Sequence, residues 1–412
     1  MHEKVTALLP DLKAFYEDLH AHPELSFAEH RTSGLMADRL EALGYEVTRG
    51  VGGTGVVATM SNGEGPTVLL RADMDALPVE EATGLSYAST VRATDASGAE
   101  VPVAHACGHD MHATWMIGAA TILAADKDNW SGTALLVVQP AEEIGAGAAA
   151  MIEDGLYERF GTPDVALGQH VVPSPAGQLL YRAGPVMAAS DALKIVLHGR
   201  GAHASAPEQS VDPIVMGAAV VTRLQTVVSR EVAATDAAVV TVGSFHAGSK
   251  ENIISDSAEL QLSVRTFDPA VREHVLDGIT RITEAEAQAS GATQPPEITS
   301  MYAFPAVSND AAATAKVAAA FTDYFGAERV TPGPVASASE DFSLFGERGG
   351  FPYVFWFVGG TDPATFMAAM EAGRIQQDIP FNHSPLYAPE QDPTMATGIE
   401  ALVTAARVWL GS

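Results

Sequence analysis

One cysteine, Cys107, is all that 412 residues contain, so no intrachain disulfide can form and no oxidising compartment is needed to explain stability. Basic residues are scarce too: 23 Lys and Arg stand against 51 Asp and Glu, a formal net charge of -28. A field of that sign repels polyanions, which argues against nucleic acid and anionic membrane as partners. Long apolar runs are missing as well. The longest candidates, such as MIGAATILAA, fall short of the roughly 18 residues that a membrane span requires. The amino terminus, MHEKVTALLPDLKAFYEDLHAHPE, scatters charges where a secretory signal needs an unbroken apolar stretch, so a cytoplasmic protein is expected. No low-complexity tract or internal repeat is present, and no G-x-S-x-G elbow, P-loop or H-E-x-x-H motif.

What is present is an ordinary globular composition, 47% hydrophobic and 18% charged, on a chain long enough for one large domain and a smaller one. Apolar residues recur at helical spacing in VTALLPDLKAFYEDL and SGLMADRLEAL, ending at Gly44. The period then changes. YEVTR, GVVATM and TVLLRAD read as strands, HATWMIGAATILAAD as a helix and TALLVVQP as a strand; this alternation predicts an α/β domain with a largely parallel sheet flanked by helices. Between 188 and 302 the order is strand, helix, strand, strand, helix, strand, the split βαββαβ unit of ferredoxin-like folds. Gly184, Pro185 and Pro305 punctuate its flanks. The expectation is a discontinuous domain of 1–187 and 303–412 with 188–302 inserted.

Gly50, Gly52 and Gly55 satisfy the dinucleotide fingerprint G-x-G-x-x-G, but the residues that follow, VVATM, are strand-like. Phosphate binding needs a helix amino end there, so a hairpin turn is expected instead. Five other segments place ligand-type side chains beside apolar strands or turns. TVLLRADMDALP ends a strand in Asp73 and Asp75, alternate residues at the carboxyl end of the sheet, where two acids repel unless cations join them. VAHACGHDMHAT supplies Cys107, His109 and His112, and His109 opens a helix whose dipole does not favour an added cation, so ligation must supply the energy. LLVVQPAEEIGAG supplies Glu142 and Glu143, VALGQHVVP places His170 at another strand end, and FNHSPLY places His383 in a late loop. Singly, each has an ordinary reading as a core histidine or a solvated turn. Together, with the only cysteine among them, they predict a composite metal site.

At these residues the sequence resembles the M20 metallopeptidase and amidohydrolase family, in the branch of N-acyl-amino-acid, hippurate and indole-acetyl-amino-acid hydrolases. The resemblance runs from LHAHPELSFAEH through RADMDALP, HACGHD, QPAEE, GRGAHASAP, SASEDFSLF and NHSPLY. It implies that Cys107, His109, Glu143, His170 and His383 hold two divalent metal ions, zinc, manganese, cobalt or nickel. It also implies Glu142 as general base, Asp75 as the acid that orients a ligand histidine, and the inserted unit as a lid through which two copies form a homodimer. Relatives with peptidase activity usually carry a ligand histidine where this chain has Asp73, and a bridging carboxylate in the region of Cys107; the HACGHD branch shares both departures.

The reaction so implied is hydrolysis of the amide in a small N-acyl amino acid to the free amino acid and a carboxylic acid, by water activated between paired metals. From the lid, His203 would donate to the developing oxyanion, reaching across into the partner subunit's site, while Asn252 and Arg265 would bind a substrate carboxylate. Alternatives within the same chemistry are a metallo-dipeptidase or carboxypeptidase. Outside it stand a binding protein that has lost catalysis, against which the ligands and base are all present, and a cysteine nucleophile at Cys107, whose thiol the surrounding carboxylates would push away from ionisation.

Overall fold

A computed structural model describes residues 1–411, which divide into two compact units. The first comprises Met1–Gly184, Ser308–Pro334 and the chain from Asp341 onward; the second comprises Pro185–Val307 with Val335–Glu340. Relative to the 188 and 302 suggested by sequence, the second unit thus starts and ends a few residues outside and also takes in a short later segment.

The first unit is built on one mixed sheet. Its strands are β1 (Glu46–Val51), β2 (Gly55–Asn62), β3 (Thr67–Asp73), β4 (Gly132–Gln139), β5 (Val165–Pro175) and β6 (Leu179–Tyr181), and, after the second unit's β7 to β10, β11 (Val330–Pro332) and β12 (Tyr353–Thr361). They lie in the order β1-β2-β4-β3-β5-β12-β6-β11. The four central strands, β4, β3, β5 and β12, run parallel and are almost wholly buried, as their unbroken apolar sequences require. β1 and β2 form an antiparallel hairpin with Val51 opposite Gly55, so the Gly50-Gly52-Gly55 run is a turn between strands, as its strand-like sequel predicts.

Helices α1 (His2–Ala21), α2 (His30–Ala42), α3 (His109–Ala125), α6 (Ala311–Phe325) and α7 (Thr394–Leu410) accompany this sheet, after α4 and α5 of the second unit. α3 is buried along most of its length between α1 and α7. Two glycines make its crossing with α7 possible: a Cβ on Gly398 would stand 2.1 Å from the Trp115 ring, and one on Gly118 would stand 2.5 Å from Ile399. Among the described residues no helix is long and apolar enough to cross a membrane.

In the second unit β7 (Ala189–His198), β8 (Ala238–Ala247), β9 (Ser257–Thr266) and β10 (Glu297–Phe304) form an antiparallel sheet in the order β8-β9-β7-β10, the ferredoxin-like arrangement. Helices α4 (Pro213–Thr226) and α5 (Pro269–Ala289) each begin with an Asp-Pro pair. Asp212 caps Ile214 and Val215, and Asp268 caps Ala270 and Val271. Along β9, Leu260, Leu262 and Val264 enter the core with Val220 and Ile279, and the intervening Glu259, Gln261, Ser263 and Arg265 are less buried.

Candidate metal centre

Sheet register puts the centre where parallel strands end. Asp73, the last residue of β3, pairs with Gln139, the last of β4, and Arg71 two residues earlier pairs with Gly168, two before His170. Gln139, Asp73 and His170 therefore lie at one level of the sheet, and the loops that follow β3 and β4 carry Asp75, Glu142 and Glu143. This is the carboxyl edge, where open α/β sheets bind ligands. VALGQHVVP suggests a strand ending at His170, but β5 continues to Pro175 because β12 pairs with it well past the last residue that β3 reaches.

The amino end of α3 faces this edge. Gly108, at φ +87°, turns the chain into the helix, and His109 and His112 follow one turn apart on the same side. His383 reaches the centre from a late loop. Its backbone sits at φ +70°, its N–H donates to the Ala106 carbonyl at 2.7 Å, and the neighbouring Asn382 amide donates to the carbonyls of Cys107 and Val171 at 3.1 and 3.2 Å. Nothing in FNHSPLY except its turn residues signals that brace.

The five expected ligands form one contiguous group. Cys107 Sγ lies 3.4 Å from His170 Nε2, His109 Nε2 lies 3.7 Å from Glu143 Oε1, and His383 Nε2 lies 3.4 Å from Glu143 Oε2. Single donor atoms of Cys107, His109 and Glu143 all fall within 4.8 Å of one another, and the same holds for Asp73, His109, His112 and His170. Glu142 approaches the same point, its Oε2 lying 3.9 Å from His109 Nε2. Asp75 faces the other side of that ring, Oδ1 to Nδ1 at 3.3 Å, and its Oδ2 accepts the Glu143 N–H at 3.0 Å.

Hydrogen bonding separates donors that are spent from donors that are open. The His112 Nε2 accepts the Val171 N–H at 2.9 Å, so its proton sits on Nδ1, which meets Asp73 Oδ1 at 2.5 Å; neither nitrogen is left for a cation. Asp73 gives its other oxygen to Arg71 at 2.6 Å. His170 donates from Nδ1 to the Val171 carbonyl at 2.7 Å, which leaves the Nε2 lone pair facing Cys107. His109 Nε2 and Glu143 Oε1 are buried without any hydrogen-bond partner. Orphaned polar atoms in a buried site are costly unless something else meets them. Open imidazole and carboxylate atoms beside a thiol fit divalent metal of the borderline kind.

Charge tells the same story. Burial lifts the Glu143 carboxyl to about 8, with Asp75 and Asp73 adding to it against the opposing pull of His109. Burial also pushes the Cys107 thiol well above its ordinary range, helped by Glu143, Glu142 and Asp73. For His109 burial acts downward, yet Asp73, Asp75 and Glu143 together raise it to about 10. Burial drives His170 well down. Cys107 does have a histidine neighbour, His170, but a thiol pushed up beside an imidazole pushed down is the opposite of an activated nucleophile pair.

Behind these groups lies a network that sequence reasoning did not single out. The buried Arg71 guanidinium donates to Gln139 at 2.8 Å and to Asp73, and Asp341 accepts the Gln139 amide at 2.6 Å and the Ala148 N–H at 3.0 Å. Its one sequence signal is an arginine in the apolar strand TVLLRAD, since a buried guanidinium demands acids nearby.

The three expected lid residues lie in the second unit. His203 pairs with Ile253 in a two-stranded ribbon, and it lines a cleft of about 1100 Å³ with Asn252, His246 and Lys250. Its Nδ1 accepts the Ser205 N–H at 3.1 Å, which in the neutral ring places the proton on Nε2. Arg265 sits on β9 opposite Ser190 and Val239, and its guanidinium donates to the Val264 carbonyl at 3.3 Å.

Known proteins share both sequence and fold. The model of Peptidase family M20/M25/M40 matches residues 69–374. Thermostable carboxypeptidase 1 of Saccharolobus solfataricus is 38% identical over 347 residues, 83% of this chain and 84% of that protein. Hippurate hydrolase of Campylobacter jejuni is 42% identical over 286 residues, 68% of this chain and 72% of that protein. The crystal structure of the Bacillus subtilis YXEP protein, a dinuclear metal binding peptidase from the M20 family, superposes with a TM-score of 0.77 at 30% identity and covers 98% of this chain and 99% of its own. With the matched segment spanning most of the sequence, the chain belongs to peptidase family M20/M25/M40.

Proposed function

We propose that this protein hydrolyses the amide bond of N-acyl amino acids of the acetyl, benzoyl or aryl-acetyl type, releasing the amino acid and a carboxylic acid. Cys107, His109, Glu143, His170 and His383 would hold two divalent ions, zinc, manganese, cobalt or nickel. The observation that carries this reading is the meeting of open, buried donors, His109 Nε2 and Glu143 Oε1, with Glu142 beside them and no hydrogen-bond partner for either. When bound, such ions supply Lewis acidity toward a carbonyl and make water acidic enough to attack at neutral pH.

The chain's own residues do the rest. Glu142, adjacent to a ligand but not required as one, takes the proton from attacking water and hands it to the departing amine, a contribution of about 10² to 10⁴ in rate. Asp75 faces His109 Nδ1 and fixes that ring. His203, which in its neutral ring carries the proton on Nε2, is set to donate to the oxyanion; Arg265 offers a fork for the substrate carboxylate and Asn252 a further polar contact. By the family resemblance the second unit serves as lid and as the contact between two copies, with His203 acting in the partner's site. Mixed dimers of His203→Ala and Glu142→Gln subunits should then regain activity that neither homodimer has, and hybrids with no activity would argue against a shared site.

The similarity to a carboxypeptidase supports a second reading, cleavage of a terminal peptide bond. Metal-restored protein assayed on N-acetyl, N-benzoyl and indole-acetyl amino acids beside free dipeptides and longer peptides separates the two. Preference for the acylated amino acids is expected; turnover confined to peptides with a free amine would overturn the first reading.

A further inference from the structure

The segment HPELSFAE at 22–29 joins α1 to α2 and holds none of the proposed metal ligands, yet it is tied to the metal centre at two points. Ser26 Oγ donates to Asp75 Oδ2 at 2.6 Å, the oxygen that also takes the Glu143 N–H, while Asp75 Oδ1 faces His109. Glu29 is completely buried; its Oε1 accepts the Ala141 N–H at 2.9 Å and its Oε2 accepts the Thr54 hydroxyl. Ala141 directly precedes Glu142 and stands at φ +50°, a left-handed conformation that a residue with a Cβ keeps only when its surroundings impose it.

The segment is itself held firmly. The Glu24 carboxylate accepts the N–H groups of Arg31 and Thr32 at 2.9 and 2.8 Å, and its carbonyl accepts the Ala76 N–H at 2.9 Å, one residue beyond Asp75. Phe27, at φ +60°, lies against Gly53, where a Cβ would come within 3.2 Å of its ring. Ser26 and Glu29 are thus fixed side chains aimed at the two loops that carry the centre's acids.

We propose that Ser26 and Glu29 are positioning residues of the metal centre: Ser26 fixes the Asp75 carboxylate against His109, and Glu29 holds the Ala141 amide and with it the direction in which Glu142 is presented. The proposal rests on the reading of Asp75 and Glu142 given above. Without the Ser26 hydroxyl, Asp75 Oδ2 keeps only the Glu143 N–H and the carboxylate can rotate away from the His109 ring. Without an acceptor at position 29, the Ala141 N–H is left unpaired in a buried site, and the simplest relief is for residue 141 to leave its left-handed conformation and swing Glu142 with it.

The test compares Ser26→Ala, Ser26→Thr, Glu29→Ala and Glu29→Gln by Zn²⁺ or Mn²⁺ titration of metal-free protein, by kcat and KM at saturating metal, and by thermal melting. Ser26→Ala is expected to weaken metal binding about 10- to 100-fold, the usual effect of removing a group that orients a ligand, with Ser26→Thr close to wild type. Glu29→Ala is expected to lower kcat about 10-fold or more with KM and metal content held, and Glu29→Gln to restore most of it, because an amide oxygen still accepts the Ala141 N–H. Alanine variants that bind metal and turn over as wild type does would overturn the proposal. So would losses that merely follow the folded fraction and are not restored by threonine or glutamine. Metal affinity is read without substrate, so wild type that binds metal but cleaves no N-acyl amino acid refutes the functional reading alone, whereas wild type that binds no metal refutes both.

Discussion

Titrating the metal-free protein with Zn²⁺ or Mn²⁺ at several pH values should show that each mole of metal-loaded centre expels protons, and their number follows from the site. Three donors hold protons near neutrality: the Cys107 thiol, pushed far up chiefly by burial; the Glu143 carboxyl, lifted by burial to about 8; and the His109 ring, raised to about 10 with Asp73 and Asp75 acting against the effect of burial. A donor atom binds a cation only after its proton has gone. Below about pH 8 two to three protons should therefore leave, and the apparent association constant should climb about 100- to 1000-fold per pH unit. The direction is fixed by the upward shifts: affinity is poor at low pH, where all three are protonated, and improves as pH rises. Above about pH 8 Glu143 has already ionised, and the slope should fall by about one. Calorimetric titration in two buffers of different ionisation enthalpy counts the protons directly. A slope below one between about pH 6 and 8, or no difference between buffers, would refute the donor assignment.

Other consequences follow from particular contacts. Asp73→Asn takes one ion-pair partner from the fully buried Arg71 and turns an amide N–H toward one of two donors, so unfolding by denaturant should show a loss of about 3 kcal/mol, at the low end for a broken buried pair because Asp341 still stands 3.5 Å from the guanidinium; an unchanged midpoint would contradict this. Gly398→Ala would drive a Cβ to 2.1 Å from the Trp115 ring where α3 and α7 cross, and a destabilisation of about 1–3 kcal/mol should appear in thermal melts, with metal affinity preserved. Cys107 is 8% exposed and its thiol is pushed well up, so iodoacetamide should alkylate native protein far more slowly than a free thiol. Rapid alkylation that abolishes activity in chelator-insensitive enzyme would restore the case for a cysteine nucleophile.

Much of this was readable from the chain because the chemistry sits in short, local patterns. The parallel strands announce themselves as unbroken apolar runs, the second unit as alternating strand and helix periods, and the acids and histidines as residues placed just where apolar runs stop. Long-range partnership is what the sequence conceals. His112 carries the same residue type as His109 and lies three positions away, yet Val171 and Asp73 occupy both its nitrogens, a fact that depends on β5 and β3 being neighbours in the sheet. Asp341 answers Arg71 across 270 positions, and no local pattern links them. The short strands β6 and β11 have three residues each, too few for any period to show. His170 reads as a strand end because VALGQHVVP is brief, whereas its partner β12 prolongs the ladder.

The central claim is that Glu142 moves the proton while its neighbour Glu143 and the other donors hold metal, and Glu142→Gln tests it most directly. Metal content by elemental analysis and turnover of an N-acyl amino acid should be measured on the same preparation. The account predicts wild-type metal stoichiometry with kcat reduced about 10²-fold or more. A variant that keeps full metal and full turnover, or one that loses its metal along with its activity, would contradict it.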